Sequence, residues 1–144
     1  MLKSHRFALI GCVVATLASA GDEFKPTFGN VMLEFASRYS TLYYSAKASN
    51  WELAKYELHE FVEVQEIAEA VRPKHKDQLK EFEDKHVSKL EKDIEKKDWE
   101  SFKKDFAQTT KACNKCHQDS GYSFIHYKLP SHGVEFLKME LDKK

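Results

Sequence analysis

The sequence predicts an all-α chain, an antiparallel up-down four-helix bundle, on three observations. Apolar residues recur at spacings of three and four through four stretches of similar length, the period of a helix with one buried face. Only five glycines and three prolines occur in 144 residues, too few for a fold rich in turns. The breaks between the stretches are very short, which suits neighbouring helices running in opposite directions.

Each element can be read in order. Phe28, Val31, Met32, Phe35, Tyr39, Leu42, Tyr43 and Ala46 form the first stripe. Ser49-Asn50-Trp51-Glu52 has capping-box spacing, which ends this helix and opens the next. The second helix carries Ala54, Leu58, Phe61, Val64, Ile67, Ala68 and Val71 inward, and Arg72-Pro73 stops it. A third, between about Lys76 and Lys96, presents Leu79, Phe82, Val87, Leu90 and Ile94. The fourth opens at Asp98, a typical N-cap residue, and shows Trp99, Phe102, Phe106, Thr109, Cys113 and Cys116 at spacings of 3-4-3-4-3. Gly121 is the expected stop. Residues 122–144 hold Tyr122, Phe124, Ile125, Tyr127 and Leu129, too apolar for a free tail. The expectation is that they pack back on the bundle, with a short helix from Val134 to Leu141.

The beginning of the chain reads as an export signal over residues 1–20. Lys3, His5 and Arg6 form a basic start, Phe7 to Leu17 an apolar stretch, and Ala18-Ser19-Ala20 a small-residue cleavage pattern. The apolar stretch is too short to span a bilayer comfortably. Residues 21–144 then form one domain, without a transmembrane span, in the periplasm. The alternative is a lipoprotein-type box, Leu9-Ile10-Gly11-Cys12, which would leave the chain anchored through an acylated Cys12. Only five apolar residues precede Cys12, and the run continues through Val13, Val14 and Leu17, which favours soluble export. The whole chain carries 23 basic and 23 acidic residues. The first twenty hold two of the basic and none of the acidic ones, so the remainder is near −2, a balance that does not suggest nucleic acid.

Cys113-Asn114-Lys115-Cys116-His117 is the pattern that says most about chemistry. C-x-x-C-H is the attachment site of a c-type haem. Two thiols at this spacing can each add across one porphyrin vinyl group, and the adjacent histidine offers its imidazole to the iron. The rival readings are weaker. A redox dithiol wants a βαβ context, and a zinc site wants four ligands and would have to recruit His126 or His132. One covalent haem c, held by Cys113 and Cys116 with His117 as proximal iron ligand, is therefore the expected cofactor.

A four-helix bundle with its single C-x-x-C-H at the end of the last helix resembles the cytochrome c-prime group, including its low-spin, methionine-ligated relatives. Asn50-Trp51-Glu52-Leu53-Ala54 with Tyr56-Glu57-Leu58, and Ala112-Cys113-Asn114 and Cys116-His117-Gln118 leading to Gly121 and Phe124-Ile125, resemble a set of small exported c-type cytochromes. The likeness covers roughly residues 28 to 125. It implies a periplasmic monohaem protein with thioether bonds at Cys113 and Cys116 and His117 on the iron. The chain departs from cytochrome c-prime at Gly121, where those proteins carry an arginine four positions after the ligand histidine. That weakens any carry-over of their proximal nitric-oxide chemistry.

The other face of the iron decides between functions. Met32 lies on the first stripe near its start, the end that adjoins the C-terminus of helix four in an antiparallel bundle. The methionine-ligated relatives also place their ligand early in helix one, so Met32 is the candidate distal ligand, against the plain reading as core filler. His86 sits one turn from Phe82 and Leu90 and is read first as a packed histidine, His59 as surface; His126, His132 and Met139 are further distal candidates. The expected function is one-electron transfer to a redox partner protein. The alternative is a gas-binding haem protein with an open distal site, and a remote one is a zinc or thiol interaction module. No Ser/His/Asp set or paired carboxylates point to an enzyme. Glu57, Glu60, Glu63, Glu66 and Glu69 suggest an acidic band on helix two, and Tyr43, Tyr44 and Tyr56 a route to a homodimer.

Overall fold

Hydrogen-bonded caps divide the chain into helical rods, seen in a computed structural model that describes residues 25–135 and 137–141. The expected export signal, and Cys12 with it, lie outside the described residues. Thr27 opens α1 (Phe28–Lys47), its hydroxyl accepting from the Asn30 amide at 3.3 Å. Ser49 ends it in the left-handed region at φ +60°, with Ser49 N–H bonded to Ala46 O and Asn50 N–H to Ser45 O. These are the paired bonds of a Schellman turn, here made without glycine. Asn50, one residue beyond the predicted capping serine, caps α2 (Trp51–Val71) by accepting from the Leu53 amide at 3.2 Å. Pro73 then forces the break, as its neighbour Arg72 is pushed out of helical geometry.

The third predicted helix is built from three pieces. After a 3₁₀ turn (Pro73–His75) come α3 (Lys76–Phe82), a π-helical turn (Glu83–Val87) and α4 (Ser88–Lys96). The sequence explains the π turn. Phe82 and Val87 are five residues apart, one more than a helical stripe allows, and a π turn absorbs the extra residue so that the stripe can resume. Val87 is buried in the main core, and the half-buried Phe82 packs against it. Asp98 caps α5 (Trp99–Asp119) as expected, its carboxylate accepting from the Ser101 amide at 3.1 Å and hydroxyl at 2.7 Å.

The rods pack α1 on α2, α2 on α4, α4 on α5 and α5 on α1. Among the described residues the fold is all-helical, and none of its helices is long and apolar enough to cross a membrane. The main core gathers Tyr39, Leu42, Phe61, Leu90, Ile94, Phe102 and Phe106. Tyr39 stacks on Phe106 at 4.0 Å and donates its hydroxyl to the Phe106 carbonyl at 2.8 Å, so one residue supplies both apolar area and a satisfied polar tip. A smaller cluster of Val31, Val64, Ala68 and Leu79 lies apart, with Phe28, Met32 and Phe35 against it.

The band on α2 is not uniformly solvated. Glu57 is only 1% exposed and faces Arg38 at 3.4 Å, while Glu69 is also buried, near Lys80 and Gln65. Glu63 and Glu66 remain exposed.

The C-terminal segment runs back along α1. Tyr127 meets Tyr39 edge-on at 5.2 Å, Tyr44 donates to the Pro130 carbonyl at 2.6 Å, and the Asn50 amide donates to the Met139 carbonyl at 3.1 Å. Gly133 packs so tightly between Tyr44 and Met139 that a Cβ there would come within 3.1 Å of the Met139 methyl. The short helix expected from Val134 to Leu141 does not form among the described residues. The segment is held in extended contact with α1 instead. Tyr43 and Tyr44 are half-buried, leaving Tyr56 as the exposed member of the three tyrosines.

Candidate functional site

The C-x-x-C-H motif occupies the last two turns of α5, just before the helix stops. Gly121, at φ +84°, ends it with a Schellman turn: Gly121 N–H bonds to Gln118 O at 3.1 Å and Tyr122 N–H to His117 O at 2.8 Å. Glycine fits here because a side chain is strained in this backbone region. The turn sends the chain back across the motif, so residues 122–127 lie over the helix end that carries His117.

Cys113 and Cys116 are free thiols one helical turn apart, hence on one side of α5. They do not lie in a sealed seam. Full burial along α5 stops at Thr109, and Ala112, Cys113 and Cys116 are half-buried as residues. The Cys113 sulfur is nevertheless withdrawn from water, and burial pushes its thiol up to about 12, with Cys116 as a further cause. Burial also raises the Cys116 thiol, opposed by the Ser120 hydroxyl. Tyr39 and Tyr127 lie within electrostatic reach of Cys113, and both phenols are raised chiefly by burial.

His117 carries the most informative contact. Its Nδ1 lies 3.1 Å from the Ile125 carbonyl oxygen. A carbonyl only accepts, so Nδ1 is the protonated nitrogen, and Nε2 is left with the free lone pair. That is the tautomer a metal-ligating histidine adopts when a backbone carbonyl fixes its ring.

Asn114, between the two cysteines, pairs with the backbone of Tyr127 in both directions. Its carbonyl accepts from Tyr127 N–H at 2.7 Å and its amide donates to Tyr127 O at 3.2 Å. The Tyr127 hydroxyl is buried and has no hydrogen-bond partner among the described residues. A buried, unpaired hydroxyl carries a desolvation cost that a polar group brought to this place would remove. The donor set therefore suits a c-type haem in three respects: two thiols on one helix side, an imidazole with Nε2 free, and an orphan hydroxyl beside Cys113.

The start of α1 meets the 3₁₀ turn before α3, and the end of α5 meets the first turn of α3 itself. Phe28 stacks on His75 at 5.7 Å, and the Ser120 hydroxyl donates to Gln78 at 3.3 Å. Met32 belongs to this end and packs with Phe28 and Phe35 against the smaller cluster. His86 is half-buried on the π turn, its ring 5.6 Å from Phe82; burial first, then Lys89 and Lys85, lower its pKa. His59 is exposed beside Glu63 at 3.3 Å, and His126 and His132 are exposed. Met139 is buried at the other end of α1, its sulfur 3.5 Å from the Ser45 hydroxyl. No group of three or more His, Cys, Asp or Glu suited to a metal ion gathers among the described residues. A groove between α2 and α4, floored by Leu58, Val62, Val87 and Ile94, shares no residue with the motif.

The sequence singled out the two cysteines and His117 and gave no sign of Asn114, the Ile125 carbonyl or the Tyr127 hydroxyl beside them. Asparagine at a motif's variable position carries no signal by itself, and a carbonyl acceptor has no residue type. No family model, curated protein or solved structure matches this chain.

Proposed function

We propose that this chain is an exported monohaem c-type cytochrome of the four-helix-bundle kind, up-down-up-down in topology, working as a one-electron carrier in the periplasm. The observation that carries the reading is His117: within a C-x-x-C-H motif, its Nδ1–H is held by the Ile125 carbonyl, leaving Nε2 for the iron. Cys113 and Cys116 would hold the haem covalently. Haem c supplies a one-electron ferric–ferrous couple, and the protein tunes it through ligands, hydrogen bonds and burial. Here that tuning falls to the imidazole set by Ile125, the half-buried apolar surroundings of α5, and the Tyr39 and Tyr127 hydroxyls beside Cys113.

The test is covalent attachment. Expression with haem-attachment machinery should give a polypeptide one haem heavier than its sequence, with the haem resisting acid-acetone extraction. Cys113→Ala with Cys116→Ala should abolish it. Haem extracted freely from the parent, or stoichiometric zinc in its place, would overturn the reading.

One observation favours the gas-binding alternative. Met32 is engaged in packing with Phe28 and Phe35 against Val31, Val64, Ala68 and Leu79. A distal ligand role requires it to give up part of that contact. Met32→Leu preserves the packing volume. It separates the cases: a change from low to high spin with faster carbon monoxide uptake supports ligation and electron transfer. An unchanged, five-coordinate spectrum supports an open iron.

A further inference from the structure

We propose that Asn114 is a positioning residue for His117: by clamping the backbone of Tyr127, it holds the Ile125 carbonyl where it accepts from the imidazole. This rests on the haem reading above. The segment from Gly121 to Tyr127 is tied at two points. At its start, the Schellman turn joins Tyr122 N–H to the His117 carbonyl at 2.8 Å, and Ile125 N–H bonds to Tyr122 O at 2.8 Å. At its far end stands the two-way pairing of the Asn114 amide with Tyr127. Between them, burial contributes little. Residues 122 to 126 are all exposed, Phe124 to 78%. Ile125 is therefore fixed by its flanks, with only His126 between it and the clamp.

The chemistry needs asparagine. One planar amide offers an acceptor and a donor side by side, which matches the N–H and C=O of a single residue. Aspartate keeps the acceptor and loses the donor; alanine loses both. Partners that orient a ligating histidine raise its basicity. A more basic imidazole favours ferric iron, so a loosened clamp should raise the reduction potential.

The experiment uses the haem-loaded protein with Asn114→Ala and Asn114→Asp. Three quantities are measured: mass, hydrogen exchange at the Tyr127 amide, and potential by redox titration. Expected is full covalent haem in both variants and an unchanged helical spectrum. Exchange at Tyr127 should quicken at least about tenfold in Asn114→Ala. The ferric–ferrous equilibrium should shift about tenfold toward ferrous, about 59 mV upward for a one-electron couple. Asn114→Asp should show Tyr127 exchange between parent and Ala, but its added negative charge itself favours ferric iron. Asn114→Ser, neutral and also without the paired amide, therefore carries the potential measurement if Ala fails to fold. Faster Tyr127 exchange with a potential that moves less than twofold in equilibrium overturns the proposal while leaving the haem reading intact. Unchanged exchange overturns it too. A parent without covalent haem overturns the underlying reading, and this proposal falls with it.

Discussion

Cys113 and Cys116 should react at very different rates in the folded polypeptide made without haem. Burial lifts the Cys113 thiol from an ordinary 9.0 to about 12. At pH 8 that rise cuts the thiolate fraction about a thousandfold, and the thiolate is the nucleophile. Part is recovered, because a more basic thiolate attacks faster. With a Brønsted slope of about 0.45, three units return about twentyfold. The net retardation is about fiftyfold against an ordinary thiol, before any steric exclusion. Cys116 is raised less completely, since the Ser120 hydroxyl opposes the burial. The assay is timed labelling with a small aromatic disulfide at pH 8, acid quench and peptide mapping, on a sample first shown to be helical by circular dichroism. Cys116 should label first by more than about tenfold, and urea should erase the difference. Cys113 labelling within about threefold of Cys116 in the folded sample would refute the burial argument. On the haem reading, the same retardation means that attachment at Cys113 is faster when the last turns of α5 open locally.

Tyr39→Phe should cost about 1 kcal/mol in urea unfolding with an unchanged slope. The ring stack stays, and the Phe106 carbonyl keeps the Thr110 hydroxyl at 3.0 Å; a loss above about 3 kcal/mol would show that the packing is disturbed as well. Lys97→Gly should stabilise by about 1 kcal/mol, because Lys97 closes α4 at φ +55° and is exposed. A melting temperature that fails to rise would count against that strain. Glu57 has a raised carboxyl pKa, burial outweighing the opposing effect of Arg38. Its contribution is therefore most favourable when protonated, and it declines as pH climbs from the ordinary carboxylate range through the raised value. Glu57→Gln should match the parent in acid and gain on it toward neutrality, with Arg38 still paired to Glu34 at 2.8 Å and Glu60 at 3.4 Å. A variant that loses stability as pH rises would reverse the sign.

Helices were legible wherever local chemistry and burial agree. Asp98 caps α5 because its carboxylate suits the open amides of a first turn, and Arg72-Pro73 ends α2 because proline dictates its neighbour's geometry. Two other ends were harder to read, since Ser49 and Lys97 adopt the left-handed conformation that sequence associates with glycine. Only the paired bonds of the turn reveal them. The π turn did leave a mark, the five-residue step from Phe82 to Val87, which a strict period of 3.6 does not accommodate. The C-terminal segment shows the opposite case. Its apolar residues announced contact, but its extended path is set by single anchors such as Tyr44 on Pro130 and Asn50 on Met139, which have no period to detect. At the motif, residue types disclosed the thiols and the imidazole. What orients the imidazole is the Ile125 carbonyl, and backbone acceptors are silent in a sequence.

The distribution of burial bears on how such a site can work. The aromatic core lies around Tyr39, Phe61, Phe102 and Phe106, whereas along α5 full burial ends at Thr109, before the first cysteine. The end that carries the motif is held by discrete hydrogen bonds, Asn114 to Tyr127, Ser120 to Gln78 and His117 to Ile125, while the small cluster of Val31, Val64, Ala68 and Leu79 includes no residue of α5. Regions with few buried contacts open at lower free energy than the core that surrounds them. The last turns of α5 can thus loosen while the aromatic core stays packed, which on the proposed haem reading is the access that covalent chemistry at Cys113 and Cys116 needs. On that reading, the burial of an attached haem would add to this thin end what the polypeptide alone supplies least. The hydrogen bonds then have a different task from the core. The core decides that the helices stand together; the bonds decide which way the His117 ring points.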